Sequence, residues 1–168
     1  VKKIYNNIDV KKDIFHILSK KFILDLNKPN LKKFKKYKSI VLIGMGGSVL
    51  GAQSIYSLLE KNINRKFIFL NNLDQLKIEE IKKKINLKNS LFIIISKSGN
   101  TMETLINSNL LQDKISSKNT IIITEQKKNL LSIFAKRRKI TTIIHKEYIG
   151  GRYSVLSEVG MIPAYFMD

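Results

Sequence analysis

Cysteine is absent from the 168 residues. The chain therefore has no disulfide, no thiol nucleophile and no thiolate metal site. Also missing is any apolar run near the roughly 20 residues that a membrane helix needs. The opening stretch, VKKIYNNIDVKKDIFHILSK, lacks the continuous apolar centre of a signal peptide. These absences point to a soluble cytoplasmic protein with no membrane partner. The chain opens on Val1 rather than methionine, so a start further upstream is expected. Arginine is scarce: Arg65, Arg137, Arg138 and Arg152 are the only four. Acidic residues number 13 against 31 basic ones, so nearly all of the excess charge is lysine.

A formal charge of +18 raises nucleic-acid binding, because phosphate affinity scales with basic residues. The pattern argues against it as the function. The lysines are scattered over helix faces, as in IEEIKKKINLK, and no aromatics are interleaved to stack on bases. Abundant lysine, asparagine and isoleucine together are what AT-rich codons produce. No specific nucleic-acid partner is expected. A positive surface would still draw in an anionic metabolite.

What is present is a globular composition, 43% hydrophobic, on a chain long enough for one domain with a single core. Ile14, Leu18 and Phe22 recur at helical spacing over residues 9–25, and NKPN at 27–30 is expected to stop that helix. An alternating series follows. Strands are predicted at 39–44, 66–70, 90–96, 119–124 and 139–144. Helices are predicted from the glycine turn to about Leu59, then over 74–85, 101–111 and 128–137, with a last one from about Tyr153. The strand runs SIVLIG and SLFIIIS are apolar without alternation, as parallel strands covered on both faces are. The expected fold is α/β, a three-layer αβα sandwich on a five-stranded parallel sheet of order 2-1-3-4-5. Residues 1–38 form a helical lead-in and 39–168 the main domain.

Three turns carry polar chemistry. The first, GMGGSVLG at 44–51, joins strand one to its helix. Its glycines let a backbone come close to a ligand, and Ser48 falls where a helix N-terminus favours an anion. It can equally be a tight turn with Ser48 as a cap. It is not a dinucleotide loop, because the third glycine is replaced by Val49 and no acid follows strand two. It is not a nucleophile elbow, because Leu50 stands where glycine is needed. The second turn, SKSGNT at 96–101, ends strand three. Ser96, Ser98 and Thr101 offer hydroxyl donors beside a helix N-terminus, which suits a phosphate monoester. Lys97 adds charge or only its backbone N–H. The alternative is a polar capping loop. Strands one and three would be neighbours at the switch point of a 2-1-3-4-5 sheet, where open α/β sheets bind ligands. The third turn, GGRYS at 150–154, sets Gly151 and Arg152 together. Its paired glycines leave room beside a guanidinium suited to an oxyanion.

Taken together, IGMGGSVLG, SKSGNTMET and GGRYSVLSEVGMIPA resemble the glucose-6-phosphate isomerase family, within the wider sugar-isomerase (SIS) fold. The resemblance runs from about 40 to 165. It implies interconversion of glucose 6-phosphate and fructose 6-phosphate through an enediolate, with no metal and no organic cofactor, in a homodimer when full-length. It implies that Ser48, Ser96, Ser98 and Thr101 hold the sugar phosphate, helped by backbone at Gly47, Lys97 and Gly151. Arg152 would stabilise the enediolate. The family's glutamate base, ring-opening histidine and C-terminal lysine are expected beyond Asp168, so the 168 residues alone should bind hexose phosphate and isomerise it negligibly. A stand-alone SIS sensing module, or a dual glucose/mannose phosphate enzyme, is the alternative. One departure stands out: Glu158 replaces the signature's alanine, and it is expected either to pair with Arg152 or to face solvent. Glu125 is expected to face solvent, and His16 to be structural. His145 is left without an assigned role.

Overall fold

In the computed structural model, residues 14–26, 28–84, 86 and 89–167 are described. Five strands form one sheet: β1 (Ser39–Gly44), β2 (Lys66–Leu70), β3 (Ser90–Ile95), β4 (Thr120–Thr124) and β5 (Thr141–Ile144). Every neighbouring pair is parallel, in the order β2-β1-β3-β4-β5. The order assumed for the sheet, 2-1-3-4-5, is the order found.

The helices are α1 (Lys28–Lys32), α2 (Gly47–Leu59), α3 (Gln75–Lys84), α4 (Met102–Leu110), α5 (Leu130–Arg138) and α6 (Glu158–Tyr165). Successive strand residues point to opposite faces, and the core divides accordingly. Ile40, Leu42, Leu91, Ile93 and Ile95 pack with Val49 and Ala52 of α2, Val159 and Ile162 of α6, and Phe34. Val41, Ile43, Phe92, Ile94 and Ile122 pack instead with Ile78 and Ile81 of α3, and Leu131 and Ala135 of α5. Each fully buried isoleucine contributes about 1.5–3 kcal/mol. Two-sided burial is why these strands read as continuous apolar runs. β5 is an edge strand, and only Ile143 of its four residues is buried.

The connections carry their own stop and start signals. Asn129 caps α5, accepting from Ser132 N at 2.8 Å. At the other end of α5, Lys139 adopts a left-handed φ of 53°, after a last turn holding Lys136, Arg137 and Arg138. Ser157 caps α6 through Val159 N.

The N-terminal region departs from the expected helix over 9–25. Residues 9–13 lie outside the described ones. Ile14–Leu18 is a 3₁₀ helix, and residues 22–26 have no regular structure. The hydroxyl of Ser19 accepts from Lys21 N at 3.0 Å, a local bond that competes with helix continuation. Nor does NKPN end a helix. Lys28, Pro29 and Asn30 begin α1, because proline in a first turn forfeits an N–H that has no intrahelical acceptor anyway. The last helix begins at Glu158 rather than Tyr153, and Gly151–Tyr153 is a separate 3₁₀ turn.

Candidate functional site

β1 and β3 are adjacent, with Gly44 in register opposite Ile95. Their C-terminal ends therefore deliver the first two polar turns side by side. A Cβ on Gly44 would come within 2.8 Å of the Ile95 carbonyl oxygen, so glycine permits this approach.

In the first turn, Gly46 has φ +52°, and its carbonyl accepts from Val49 N and Leu50 N at 3.0 Å each. Gly47 then opens α2. A Cβ there would fall on the carbonyl of Gly151. The hydroxyl of Ser154 donates to Gly151 O at 2.7 Å and approaches Gly47 O at 3.3 Å. One turn along α2, a Cβ on Gly51 would come within 2.8 Å of Val155. The first and third turns are thus packed backbone against backbone. Ser48 lies half-buried in the first turn of α2.

In the second turn, Ser96 is buried, and its hydroxyl accepts from Gly99 N at 3.1 Å. It also shares a hydrogen bond of 2.9 Å with the Thr101 hydroxyl. If Ser96 donates, the Thr101 proton is free to point outward, because a hydroxyl can accept and donate at once. Thr101 occupies the N-cap position of α4 but makes no side-chain cap, so the capping alternative does not describe it. Ser98 is exposed, and its hydroxyl accepts from Asn100 N at 3.2 Å. Gly99 is buried with φ +68°, facing Asn129. Asn100 reaches across to accept from Leu130 N at 3.0 Å, which ties the turn to the start of α5.

Lys97 turns toward the segments that follow β4 and β5. Its ammonium donates to Glu147 O at 2.6 Å and lies 3.6 Å from Glu125 Oε1. Glu125 also pairs with Lys127, which raises the pKa of Lys127, chiefly through that hydrogen bond. Glu125 does not face solvent as expected. It is 5% exposed, held inward by its two lysines and by a bond from its own N–H to Lys97 O at 3.1 Å.

In the third turn, Arg152 is exposed, which also fits the alternative reading of GGRYS as a surface turn with an exposed arginine. It borders a small cleft with Gly47, Leu50, Gly51, Gly151 and Val155. On its other side is an apolar groove of about 350 Å³ lined by Phe15, Leu18, Tyr153 and Leu156. Upstream, His145 is buried, its N–H bonded to Thr124 O at 2.9 Å. Burial is the main reason its pKa falls below the ordinary value, with the Lys97 charge acting in the same direction. The carbonyl of Lys146, 3.1 Å from Nδ1, opposes that shift.

Glu158 neither pairs with Arg152 nor meets solvent. It is fully buried and ion-paired with Lys146. Its carboxylate also accepts from Asp25 N at 2.9 Å. His16 is buried against Phe22, with ring centroids 5.7 Å apart, in keeping with a structural role. Supporting residues that the motifs did not single out are Asn129, Thr124 and Lys146. Asparagine just before the apolar run at 130 was the one local signal among them, as an N-cap. Among the described residues, no three His, Asp or Glu side chains gather as a metal would need, and no helix is long and apolar enough to cross a membrane.

A parallel sheet of order 2-1-3-4-5 with polar turns at its β1/β3 switch point defines a doubly wound α/β domain. Within that class, the chain belongs to the phosphoglucose isomerase family, whose model matches residues 2–167. It is 36% identical over 166 residues to glucose-6-phosphate isomerase of Methanocaldococcus jannaschii, covering 96% of this chain and 41% of that protein. It is 35% identical to the enzyme of the same name from Borreliella afzelii, covering 84% of this chain and 29% of that protein. The crystal structure of a glucose-6-phosphate isomerase from Chlamydia trachomatis superposes with a TM-score of 0.72 at 28% identity, covering 83% of this chain and 28% of that one. The chain thus spans well under half the length of these relatives.

Proposed function

We propose that this chain supplies the substrate-phosphate-binding part of an aldose–ketose isomerase acting on glucose 6-phosphate and fructose 6-phosphate. The observation that carries the reading is the convergence of three turns: Gly44 against Ile95, and Gly47 against Gly151. Ser48, Ser98 and Thr101 donate hydroxyl protons to the phosphate, with the exposed N-terminus of α4 adding partial positive charge. Ser96 acts from beneath, as the brace that orients Thr101 and Gly99. Lys97 and Gly151 contribute backbone, since the Lys97 ammonium is engaged by Glu147 and Glu125.

Arg152 stands near the reacting carbons. As a proton moves between C1 and C2, negative charge builds on the enediolate oxygens, and a fixed guanidinium stabilises it. Glu125 and Glu158 are both held by lysines and are not assigned as the base. No metal or organic cofactor takes part, and the intact protein works in the cytoplasm as a homodimer.

The test is turnover of fructose 6-phosphate by the intact protein. Ser98→Ala with Thr101→Ala should raise KM about tenfold or more, as lost charge-assisted hydrogen bonds require. Arg152→Ala should lower kcat more than it raises KM, because its role is confined to the transition state. An unchanged KM in the first variant, or a pure KM effect in the second, would overturn the assignment.

A further inference from the structure

The loop that carries Arg152 begins and ends on oppositely charged residues. Lys146 follows β5, and Glu158 opens α6. Their side chains form an ion pair, with the Glu158 carboxylate fully buried and the Lys146 side chain 23% exposed. The same oxygen, Glu158 Oε1, accepts from Asp25 N at 2.9 Å. The Lys146 ammonium lies 4.8 Å from the centroid of the Phe22 ring, close enough for a cation–π contact. The segment Phe22–Asp25 therefore packs against the pair. A buried carboxylate is expensive to desolvate, and removing one partner strands the other.

This pair is one of three ties on the loop. At Glu147, the carbonyl accepts from Lys97 of the second turn at 2.6 Å. At Gly151 and Ser154, the loop lies on Gly47 of the first turn. The Lys97 tie is a charge-assisted bond to the exposed backbone of Glu147, and the Gly47 tie is neutral. The tie at the base joins two charges of which the carboxylate is fully buried, so their attraction is less screened than that of an exposed pair.

We propose that Glu158 and Lys146 are positioning residues for Arg152: their buried ion pair closes the base of the loop and fixes the arginine beside the cleft it shares with Gly47 and Gly51. The catalytic half of this inference rests on the reading of Arg152 as the enediolate-stabilising group. The anchoring half stands on the contacts alone.

The experiment uses the intact protein and two readouts. The first is digestion under native conditions by an arginine-specific protease, comparing cleavage after Arg152 with cleavage after Arg65. The second is kcat and KM for fructose 6-phosphate, with inorganic phosphate as a competitor. Glu158→Gln and Lys146→Met should each speed cleavage after Arg152 about tenfold relative to Arg65, since the loop then opens locally. Each should lower kcat about tenfold with KM and phosphate competition unchanged. The double variant, which strands no charge, should recover part of both losses. Glu158→Asp keeps the charge and is the milder variant should the others fail to fold; it should shift both readouts in the same direction by a smaller factor. Unchanged cleavage overturns the anchoring. Faster cleavage with kcat unchanged overturns the positioning role. A wild-type protein without isomerase activity removes the reading of Arg152, and the cleavage ratios then decide the anchoring alone.

Discussion

Gly99 provides a quantitative test of how the second turn is built. Its φ is +68°, and an added Cβ would run into the side-chain amide of Asn129. Replacing it with alanine has three consequences. A left-handed backbone conformation costs an L-residue about 1–2 kcal/mol. Alanine restricts the unfolded chain, which offsets about 0.4–1 kcal/mol of that. The larger effect falls on Asn129, which is 4% exposed. It caps α5 through Ser132 N at 2.8 Å and donates to Thr124 Oγ1 at 3.2 Å and Lys127 O at 3.1 Å. Losing an N-cap costs about 1 kcal/mol, and leaving buried amide groups unpaired costs about 1–3 kcal/mol more. The sum for Gly99→Ala is about 3–5 kcal/mol, a large share of the roughly 5–15 kcal/mol that holds a domain together.

The assay is a urea titration of wild type, Gly99→Ala, Asn129→Ala and the double variant. With Asn129 already truncated, the new methyl group has nothing to displace. Gly99→Ala should then cost only about 1 kcal/mol, leaving a coupling energy of about 2–4 kcal/mol. Equal costs in the two backgrounds would refute the reasoning, because Asn129 would then not be what makes residue 99 a glycine.

Two further outcomes follow from the same geometry. Gly46→Ala should cost about 1–3 kcal/mol from its backbone alone, φ 52° with ψ −125°, since nothing lies near its Cβ direction. Gly47→Ala, forced against the Gly151 backbone, should cost about 1–3 kcal/mol from overpacking and lose more turnover than Gly46→Ala does. Urea titration beside a fructose 6-phosphate assay separates the two. His145 gives a pH dependence. Its folded pKa lies below the ordinary 6.5, mainly through burial, so between those two values the unfolded chain binds more protons. The stability it contributes is full above pH 6.5 and is lost as pH falls through the folded pKa. His145→Asn should narrow its stability gap to wild type as pH falls from about 7.5 to about 5. A gap independent of pH would contradict the shift.

The sheet was legible because its strands are buried on both faces. SIVLIG and SLFIII could hardly be anything else between helical stretches, and alternation restricted the topology to a few orders. The turns were legible as places where hydroxyls and glycines gather at the ends of apolar runs, and the adjacency of β1 and β3 brings the first two together. The acids were not. Glu125 looks solvent-facing in sequence, and Glu158 either solvent-facing or paired with Arg152, because charge is ordinarily exposed. Their burial depends on lysines supplied by other parts of the fold. Lys146 is 12 positions from Glu158, and Lys97 approaches Glu125 only because β3 and β4 are paired. The N-terminal helix was misread for a related reason. Its apolar spacing was real, but Phe22 is used to cover Lys146 and His16 to pack on Phe22, contacts that no periodicity encodes.

The glycines explain how tightly the site's parts depend on one another. Sequence motifs suggest that they make room for a ligand. In the structure they make room chiefly for the protein: Gly44 for Ile95, Gly47 for Gly151, Gly51 and Gly160 for Val155, and Gly99 for Asn129. The hydroxyls of Ser48, Ser98 and Thr101 therefore sit beside close contacts between separate turns, backbone on backbone at Gly44 and Gly47 and backbone on side chain at Gly51 and Gly99. The backbone contacts have little slack, because a backbone atom cannot swing aside as a long side chain can. A change on α2 must then move the loop of Arg152, and a change at the start of α5 must move the turn of Ser98 and Thr101. It follows that substitutions which never touch a ligand should still alter hexose phosphate turnover. The largest effects should fall at Gly47 and Asn129, where two turns share one contact.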